Sequence, residues 1–284
     1  MSENESLLVK TKKYLKEHEL YARKGLGQHF LVDDGVLKQI LDTAELSQDD
    51  VVMEVGSGLG VLTEELVKRA GRVIAIELDL NLARLLKQNL CEYKTLFVVN
   101  EDVLETEPAV LLTFVGGQHY KVVANLPYYI TSAVMRHFLE ATVKPVSMVV
   151  MVQEEVARQI TAQPGEMSLL AVSVQLYGEP RIVAKVPASA FYPAPNVGSA
   201  ILKVDVFPEM PLPASDIEGF FKIVKAGFSA NRKQLLNSFS HGLGIEKQAA
   251  LVLLDKSGID PKRRAETLTI EEWKRLYGCF KESK

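Results

Sequence analysis

The fold is decided by a strand, a glycine-rich turn and a helix in residues 51–67, VVMEVGSGLGVLTEELV. The apolar, β-branched run of residues 51–55 predicts a buried strand, and the apolar spacing of residues 61–67 predicts a helix. Glycines at positions 56, 58 and 60 allow the backbone to come close to a nucleotide-like ligand. The spacing G-x-G-x-G, with no basic residue directly after it, favours neither a dinucleotide site nor a phosphate loop.

Two further strands are predicted, and each is followed by an acidic residue. Residues 72–76 lead to Glu77, which lies 21 residues after Gly56, the separation expected of an acid that accepts hydrogen bonds from ribose hydroxyls. Residues 96–99 lead to Asp102, which is placed to accept from an adenine amino group. A carboxylate after a strand commonly caps a helix instead. Together with the glycine turn, however, the two acids predict a cradle for adenosine without phosphates.

A fourth strand is predicted at residues 120–124, and Asn125-Leu126-Pro127-Tyr128 follows it. The Asn125 side-chain oxygen and the carbonyl of Leu126 or Pro127 accept hydrogen bonds, so a stiff turn could hold both hydrogens of an aromatic amine. Tyr128 is placed to stack on the ring of the same base. The alternative is a simple turn, since Asn and Pro are common turn residues. A Thr or Ser at 131–132 is predicted as the N-cap of the next helix.

The strand pattern predicts an α/β protein with a doubly wound sheet. In such a sheet the first and fourth of these strands are neighbours, and the ligand crevice opens between them. The turn at residues 56–60 and the tetrapeptide at 125–128 would then face one crevice. Residues 23–31, which contain two glycines and His29, are typical of a loop over a small ligand, or of an ordinary lead-in to the helix after Asp34.

The later part of the chain changes from mixed to helical patterning. A strand at 146–152, helices at 154–160 and 168–177, and a pair of strands at 181–186 and 197–207 are predicted in that order. Between the paired strands, Phe191 is either a second aromatic residue for the base or a core residue. Three prolines at 208, 211 and 213 mark a linker. The predicted organisation is a polar extension (1–20), an α/β core (21–208) and a small all-α C-terminal domain (209–284).

Composition is that of an ordinary globular protein, with 47% hydrophobic and 24% charged residues among 284. No apolar run is long enough to cross a bilayer, and the N-terminus does not have the pattern of a signal peptide, so a cytoplasmic location is predicted. Cys91 and Cys279 imply neither a disulfide nor a metal site. Residues 219–284 have 13 basic against 7 acidic residues, a net +6, whereas residues 1–218 have 20 against 29, a net −9. A basic C-terminal region is consistent with contact to nucleic-acid phosphates. The alternative is a helical region whose basic side chains are simply solvated.

These motifs together resemble the small-subunit ribosomal RNA adenine dimethyltransferases (KsgA-type) over nearly the whole length after residue 20. They are LGQHFL at 26–31, EVGSGLGVLT at 54–63, ELD at 77–79, NLPYYI at 125–130, FYPAPNVGS at 191–199, FS at 228–229 with RK at 232–233, and PKRRAETL at 261–268. The chain departs from the family at Ala230-Asn231, where another basic residue is usual, and at residues 165–168, which lack a basic pattern. Both departures lie at positions where the resemblance implies contacts with RNA.

The resemblance implies a Rossmann-like S-adenosylmethionine-dependent methyltransferase core. It implies an enzyme that converts two adjacent adenosines, in the loop of the 3′-terminal hairpin of small-subunit (16S) rRNA, to N6,N6-dimethyladenosine. The positions implied for the cofactor are His29, Leu31, Gly56, Glu77, Asp102 and Asn125. Those implied for the target base are Asn125, Leu126, Pro127, Tyr128 and Phe191. The expected partner is rRNA within an immature ribosomal subunit, the expected state is a monomer, and neither a metal nor a membrane is expected.

Three alternatives remain open at the level of sequence. A large-subunit rRNA adenine methyltransferase of the macrolide-resistance kind would share the core and its chemistry. A ribosome-assembly factor that acts mainly by binding would share the basic tail. A nicotinamide oxidoreductase is disfavoured by the glycine spacing.

Overall fold

The computed structural model describes residues 5–23, 25, 27–117, 119–230 and 232–283. Leu26 and Asn231, which belong to the sequence motifs, lie outside the described residues. The strands are β1 (Phe30–Leu31), β2 (Val51–Val55), β3 (Arg72–Ile76), β4 (Leu96–Val99), β5 (Lys121–Asn125), β6 (Ser147–Gln153), β7 (Gly178–Val186), β8 (Phe191–Tyr192) and β9 (Ser199–Val206). The helices are α1 (Leu7–Glu17), α2 (Asp34–Ala44), α3 (Val61–Arg69), α4 (Leu80–Asn89), α5 (Pro108–Thr113), α6 (Thr131–Glu140), α7 (Glu154–Ile160), α8 (Leu169–Gln175), α9 (Ala214–Gly227), α10 (Leu235–Leu243), α11 (Lys247–Lys256) and α12 (Ile270–Glu282).

The main sheet has the order β4-β3-β2-β5-β6-β9-β7. The first five strands in that order run parallel, and β9 pairs antiparallel with β6. Strands β2 and β5 are paired, with Met53 opposite Val122, so the predicted reversal of strand order is confirmed. A separate antiparallel pair joins β1 to β8. The carboxyl ends of β2, β3, β4 and β5 therefore meet at one edge, where open α/β sheets bind ligands.

Burial explains why these strands are continuous apolar runs. Val52 and Val123 are fully buried, because helices cover the sheet as they do in parallel sheets. Ile40 of α2 and Leu66 of α3 pack in one cluster with them. The bounds predicted for β2, β3, β4 and α7 agree with those observed.

The predicted N-cap of α6 is wrong: neither Thr131 nor Ser132 is an N-cap residue. A 3₁₀ turn, Tyr128–Ile130, runs directly into α6, and Ile130 occupies the N-cap position. Thr131 already has helical dihedral angles (φ −48°, ψ −53°). Its hydroxyl therefore points back and donates to the Pro127 carbonyl at 3.4 Å, instead of accepting from the first turn of the helix.

The chain divides into two compact units, residues 1–157 with 180–206, and residues 158–179 with 207–284. The sequence placed residues 158–179 in the α/β core, whereas here they group with the C-terminal helices. Backbone bonds account for this: Gly165 and Met167 both donate to the Glu266 carbonyl, at 2.8 and 3.1 Å, and Phe207 donates to Tyr177 at 2.9 Å. Such non-local pairing is not visible in local hydrophobic periodicity.

The C-terminal unit is a helical bundle with its own core. Phe220, Phe239 and Trp273 are fully buried in it. Helix α12 begins at a capping box in which Thr269 and Glu272 satisfy each other's backbone N–H groups. Among the described helices, none combines the length and the apolar character needed to cross a bilayer.

Candidate functional site

The glycine turn after β2 lies against the end of β3. The Gly56 N–H donates to the Ile76 carbonyl at 2.8 Å, and the Gly58 N–H donates to Glu77 Oε2 at 2.8 Å. Gly56 and Gly58 have φ of +70° and +57°, a left-handed conformation that glycine adopts at little cost. A Cβ at Gly56 would lie 3.4 Å from the Pro127 ring. The glycines therefore bring the turn close to both Glu77 and the tetrapeptide at residues 125–128.

Glu77 is a buried carboxylate that backbone donors hold in place. Its Oε2 accepts from Gly58, and its Oε1 accepts from the Asp79 N–H at 2.9 Å. Burial raises the pKa of Glu77, and the N–H groups of Asp79 and Gly58 oppose that rise. Each oxygen keeps a lone pair after its backbone bond, so the group can still accept from ligand hydroxyls.

Asn100 ties the end of β4 to the end of β3. Its Nδ2 donates to the carbonyl oxygens of Glu77 and Leu78, at 2.8 and 3.1 Å. Asp102 lies two residues further on, where its Oδ1 accepts from the Leu104 N–H at 2.9 Å. The sequence reasoning identified Asp102 and overlooked Asn100. The signal available was a polar residue directly after the apolar strand.

The tetrapeptide that begins at Asn125, the last residue of β5, presents two acceptors. Asn125 Nδ2 donates to the His29 carbonyl at 3.1 Å, which orients the amide, since only its nitrogen can donate. The Pro127 carbonyl already accepts from the Ile130 N–H at 3.2 Å. Within the part of the chain that the structure describes, no hydrogen bond ends on Asn125 Oδ1 or on the Leu126 carbonyl. Of the two carbonyls considered in the sequence, Leu126 is therefore the better-placed acceptor.

Tyr128 is fixed by its hydroxyl and by a ring contact. Its hydroxyl lies 2.6 Å from Ser199 Oγ, and its ring stacks beside His29 with centroids 5.7 Å apart and an interplanar angle of 24°. Burial raises the pKa of Tyr128, while the Ser199 hydrogen bond opposes the rise, so the phenol stays protonated near neutrality. His29 Nδ1 lies 2.7 Å from the Pro193 carbonyl and must carry a proton to donate to it.

One cavity brings most of the predicted residues together. Those that line it are His29, Leu31, Gly56, Glu77, Asp102, Asn125, Leu126, Pro127 and Tyr128. Phe191 is different. It is only 3% exposed and packs in the core cluster with Leu31, opposite which it pairs in the small sheet. Its core position agrees with the second interpretation of the sequence, and its contact with a base stays a prediction.

Two further polar residues of the cavity wall were not assigned roles from sequence. Glu54, which is 2% exposed, accepts from the Thr63 hydroxyl at 2.5 Å. Burial raises its pKa to about 8. Ser57 Oγ is buried and has no hydrogen-bond partner among the described residues. An unpartnered buried hydroxyl in a cavity wall is a position where a polar ligand atom is expected.

These donors and acceptors fit S-adenosylmethionine, the cofactor that the resemblance implies. Glu77 suits ribose hydroxyls, and Asp102 keeps one carboxylate oxygen for an adenine amino group. Leu78 and Val103 provide apolar wall beside these two acids, and the glycine turn allows close approach of the ligand to the backbone.

The sequence comparisons agree with one another. A family model described as ribosomal RNA adenine dimethylase matches residues 20–282. A "Ribosomal RNA small subunit methyltransferase A" from Dehalococcoides mccartyi is 52% identical over 280 residues, which cover 98% of this chain and 95% of the relative. The protein of the same name from Enterococcus faecalis is 40% identical over 282 residues, with 97% and 96% covered.

Solved structures extend this similarity to three dimensions. The 23S rRNA methyltransferase ErmE has a TM-score of 0.70 and 30% identity, covering 89% of this chain and 99% of its own. A dimethyladenosine transferase from Plasmodium falciparum has a TM-score of 0.76 and 25% identity, covering 89% and 98%. With a family model that spans almost the whole sequence and relatives more than half identical to it, the chain belongs to the ribosomal RNA adenine dimethylase family.

Proposed function

We propose that this protein methylates N6 of two adjacent adenosines, twice each, in the loop of the 3′-terminal hairpin of small-subunit rRNA. The chain is an S-adenosylmethionine-dependent methyltransferase by family. The observation that carries the proposal is the position of Asn125 and Leu126. Their two uncommitted acceptors line the same cavity as Glu77 and Asp102. The names of the relatives, which are small-subunit methyltransferases, support the choice of rRNA.

The two acceptors prepare the amine for reaction. Asn125 Oδ1 and the Leu126 carbonyl oxygen each accept a hydrogen bond from one N–H of the adenine N6 amino group. Neither oxygen has a proton to donate. Holding both hydrogens turns the nitrogen lone pair out of conjugation with the ring. Tyr128 supports the base by stacking, worth about 1–3 kcal/mol. Its protonated phenol, bound to Ser199, keeps the ring in one orientation.

Transfer needs positioning more than acid–base catalysis. S-adenosylmethionine, when bound, supplies an electrophilic methyl group on its sulfonium. Glu77 and Asp102 would hold the ligand through its ribose and adenine, and Asn125 aims the amine from the end of β5. Such orientation accounts for large rate factors without a covalent enzyme intermediate. The target adenosine must be unstacked to enter the cavity, which costs least in a loop.

The basic residues of the C-terminal unit are proposed to contact rRNA phosphates in an immature small subunit. Lys222, Lys225, Arg232, Lys233, Lys262 and Arg264 are the members of this set. Arg263 serves a different purpose, because its guanidinium is bonded to Glu272 at 2.6 and 3.0 Å, next to the capping box of α12. The enzyme is proposed to act as a monomer. A cytoplasmic location follows from the proposed substrate.

A large-subunit activity is the second candidate, because ErmE shares the fold at 30% identity. The relatives named for the small subunit are more similar, at 40–53% identity. A single experiment separates the candidates: the protein is incubated with labelled cofactor and unmethylated small or large subunits, and the labelled nucleotides are mapped. Label on two adjacent adenosines of the small subunit is expected, and label confined to large-subunit rRNA would refute the proposal.

The Asn125→Ala variant tests the mechanism. We expect loss of methylation, with the fold and subunit binding retained. The matched control is Asn81→Ala, which removes an exposed amide on α4, outside the cavity wall. Full activity of Asn125→Ala would remove the role given to that residue. If the methylation-dead variant still rescued subunit assembly in cells, binding would be the main task of the protein.

A further inference from the structure

Helix α1 is anchored on one face and basic on the others. Thr11 and Leu15 are buried, and Leu15 packs in a cluster with Phe30 and Leu82. The helix also has four lysines, all exposed: Lys10, Lys12, Lys13 and Lys16. No ion pair connects these lysines to a carboxylate in the described parts of the chain. This basic surface is unusual, because residues 1–218 are acidic overall.

Two of these lysines line a groove that we call the α1 groove. Its walls are Lys12, Leu15, Lys16, Glu19, Leu20, Tyr21, Ala22, Tyr192 and Pro193. Lys12 Nζ lies 5.1 Å from the centroid of the Tyr192 ring, and Lys16 follows one turn along the same helix face. Tyr21 is 85% exposed. Glu19 is the acidic member, so the groove has two ammonium groups against one carboxylate.

The α1 groove adjoins the cavity described above. Pro193, in the groove wall, receives the hydrogen bond of His29 at 2.7 Å, and His29 stacks beside Tyr128 in the cavity. Tyr192, also in the groove wall, pairs with Phe30 of the cavity wall across the small sheet. A nucleic-acid strand that places one base beside Tyr128 thus has a continuous path of neighbouring residues towards Lys12.

Cationic side chains beside exposed aromatic rings are the usual surface for single-stranded nucleic acid. An extended single strand exposes its phosphates to lysines and the faces of its bases to aromatic rings. Its recognition does not depend on the grooves of a double helix. Lys12 and Lys16, which form no ion pair with any described residue, can contact phosphates, and the exposed Tyr21 ring can stack on a base. Protein interfaces are instead depleted in lysine and glutamate, both of which line the α1 groove.

We propose that the α1 groove binds the single-stranded rRNA that flanks the target adenosines. Lys12 and Lys16 neutralise phosphates, Tyr21 stacks on a base, and Glu19 weakens the contact by repulsion. This inference rests on the proposed function, since it assigns the groove to the substrate of the same cavity.

The test compares two double variants with equal charge changes on one helix. Lys12→Gln/Lys16→Gln alters the groove, and Lys10→Gln/Lys13→Gln alters lysines outside it. Binding of a fluorescent single-stranded 12-nucleotide RNA is measured from 50 to 200 mM salt. Losing two phosphate contacts lowers the slope of log affinity against log salt by about 1.4, so wild type should lose about 7-fold more affinity over this range than the groove variant. The control variant should keep the wild-type slope.

A third variant tests the sign of the effect. Glu19→Gln should tighten RNA binding, which a variant that merely damages folding would not do. Cofactor binding should be equal in all variants, because none of these residues lines the cavity. Equal slopes in both double variants, or unchanged affinity in Glu19→Gln, would overturn the inference. Failure of wild type to methylate small subunits would refute the proposed function instead, and the RNA titration would still decide the role of the groove.

Discussion

Glu54→Gln should change how the stability of the α/β unit depends on pH. Glu54 is 2% exposed, and burial raises its pKa from 4.5 to about 8. The folded protein therefore keeps a proton on Glu54 at pH values where the unfolded chain has lost it. Because the folded state binds more protons in this window, wild-type stability falls as pH rises from about 4.5 to 8 and is level above it. The Gln side-chain amide does not titrate in this pH range, and its oxygen can still accept a hydrogen bond from the Thr63 hydroxyl.

The magnitude follows from the size of the pKa change. Each pH unit inside the window is worth about 1.4 kcal/mol, so the whole window corresponds to at most about 5 kcal/mol. The unfolding free energy of Glu54→Gln minus that of wild type should therefore rise by about 1.4 kcal/mol per unit up to pH 8. Most other titrating groups contribute nearly equally to both proteins and cancel in this difference. Glu77 is the exception, because its charge is one of the causes that raise the pKa of Glu54.

Amide hydrogen exchange at Met53 and Val122 provides the assay, because both residues are fully buried in paired strands of this unit. Wild type and variant are compared at the same pH, so their intrinsic exchange rates are equal. A difference in protection that stays constant from pH 5 to pH 8 would refute the reasoning, since it would mean that the Glu54 carboxyl titrates as it does in water.

Three other substitutions have expected outcomes. Thr269→Ala removes the capping hydroxyl of α12 and should lower the unfolding free energy by about 1 kcal/mol in urea, followed by tryptophan fluorescence. Tyr128→Phe loses the bond to Ser199; it should lower the unfolding free energy by about 1 kcal/mol, measured by hydrogen exchange at Met53, but keep most methylation, because the ring remains. Gly242→Ala would place a Cβ 2.5 Å from the Ala226 backbone, so calorimetry should show a lower Tm, with about 1–3 kcal/mol lost to overpacking.

Local patterns predicted the parallel sheet well, because its central strands, such as β2 and β6, are buried on both faces. The runs that became β2, β3 and β4 are continuous apolar segments between clear turn signals. The two-residue strands β1 and β8 were not predicted, since Phe30–Leu31 and Phe191–Tyr192 are too short for any periodicity. Their pairing depends on residues about 160 positions apart in the chain. The grouping of residues 158–179 with the C-terminal helices is non-local for the same reason.

The candidate site was predictable where residue type fixes the chemistry. Glu77, Asp102 and Asn125 follow strands, and the sheet order brings them to one cavity. The bonds that position them were not predictable, as with Asn100, which binds the backbone around Glu77. The sequence also could not show which carbonyl is available to a ligand. It predicted a helix cap at residues 131–132, whereas the structure has a 3₁₀ turn in which the Pro127 carbonyl already accepts a hydrogen bond.

The Asn125 side chain connects the segment that contains His29 to the proposed position of the substrate amine. Its nitrogen donates to the His29 carbonyl, while its oxygen is the acceptor proposed for the substrate amine. If the segment that carries His29 moves away, the amide can rotate, and the amine of the substrate loses one of its two anchors. The proposed role of Asn125 therefore depends on the position of His29, and an insertion near His29 should impair turnover even if both ligands still bind.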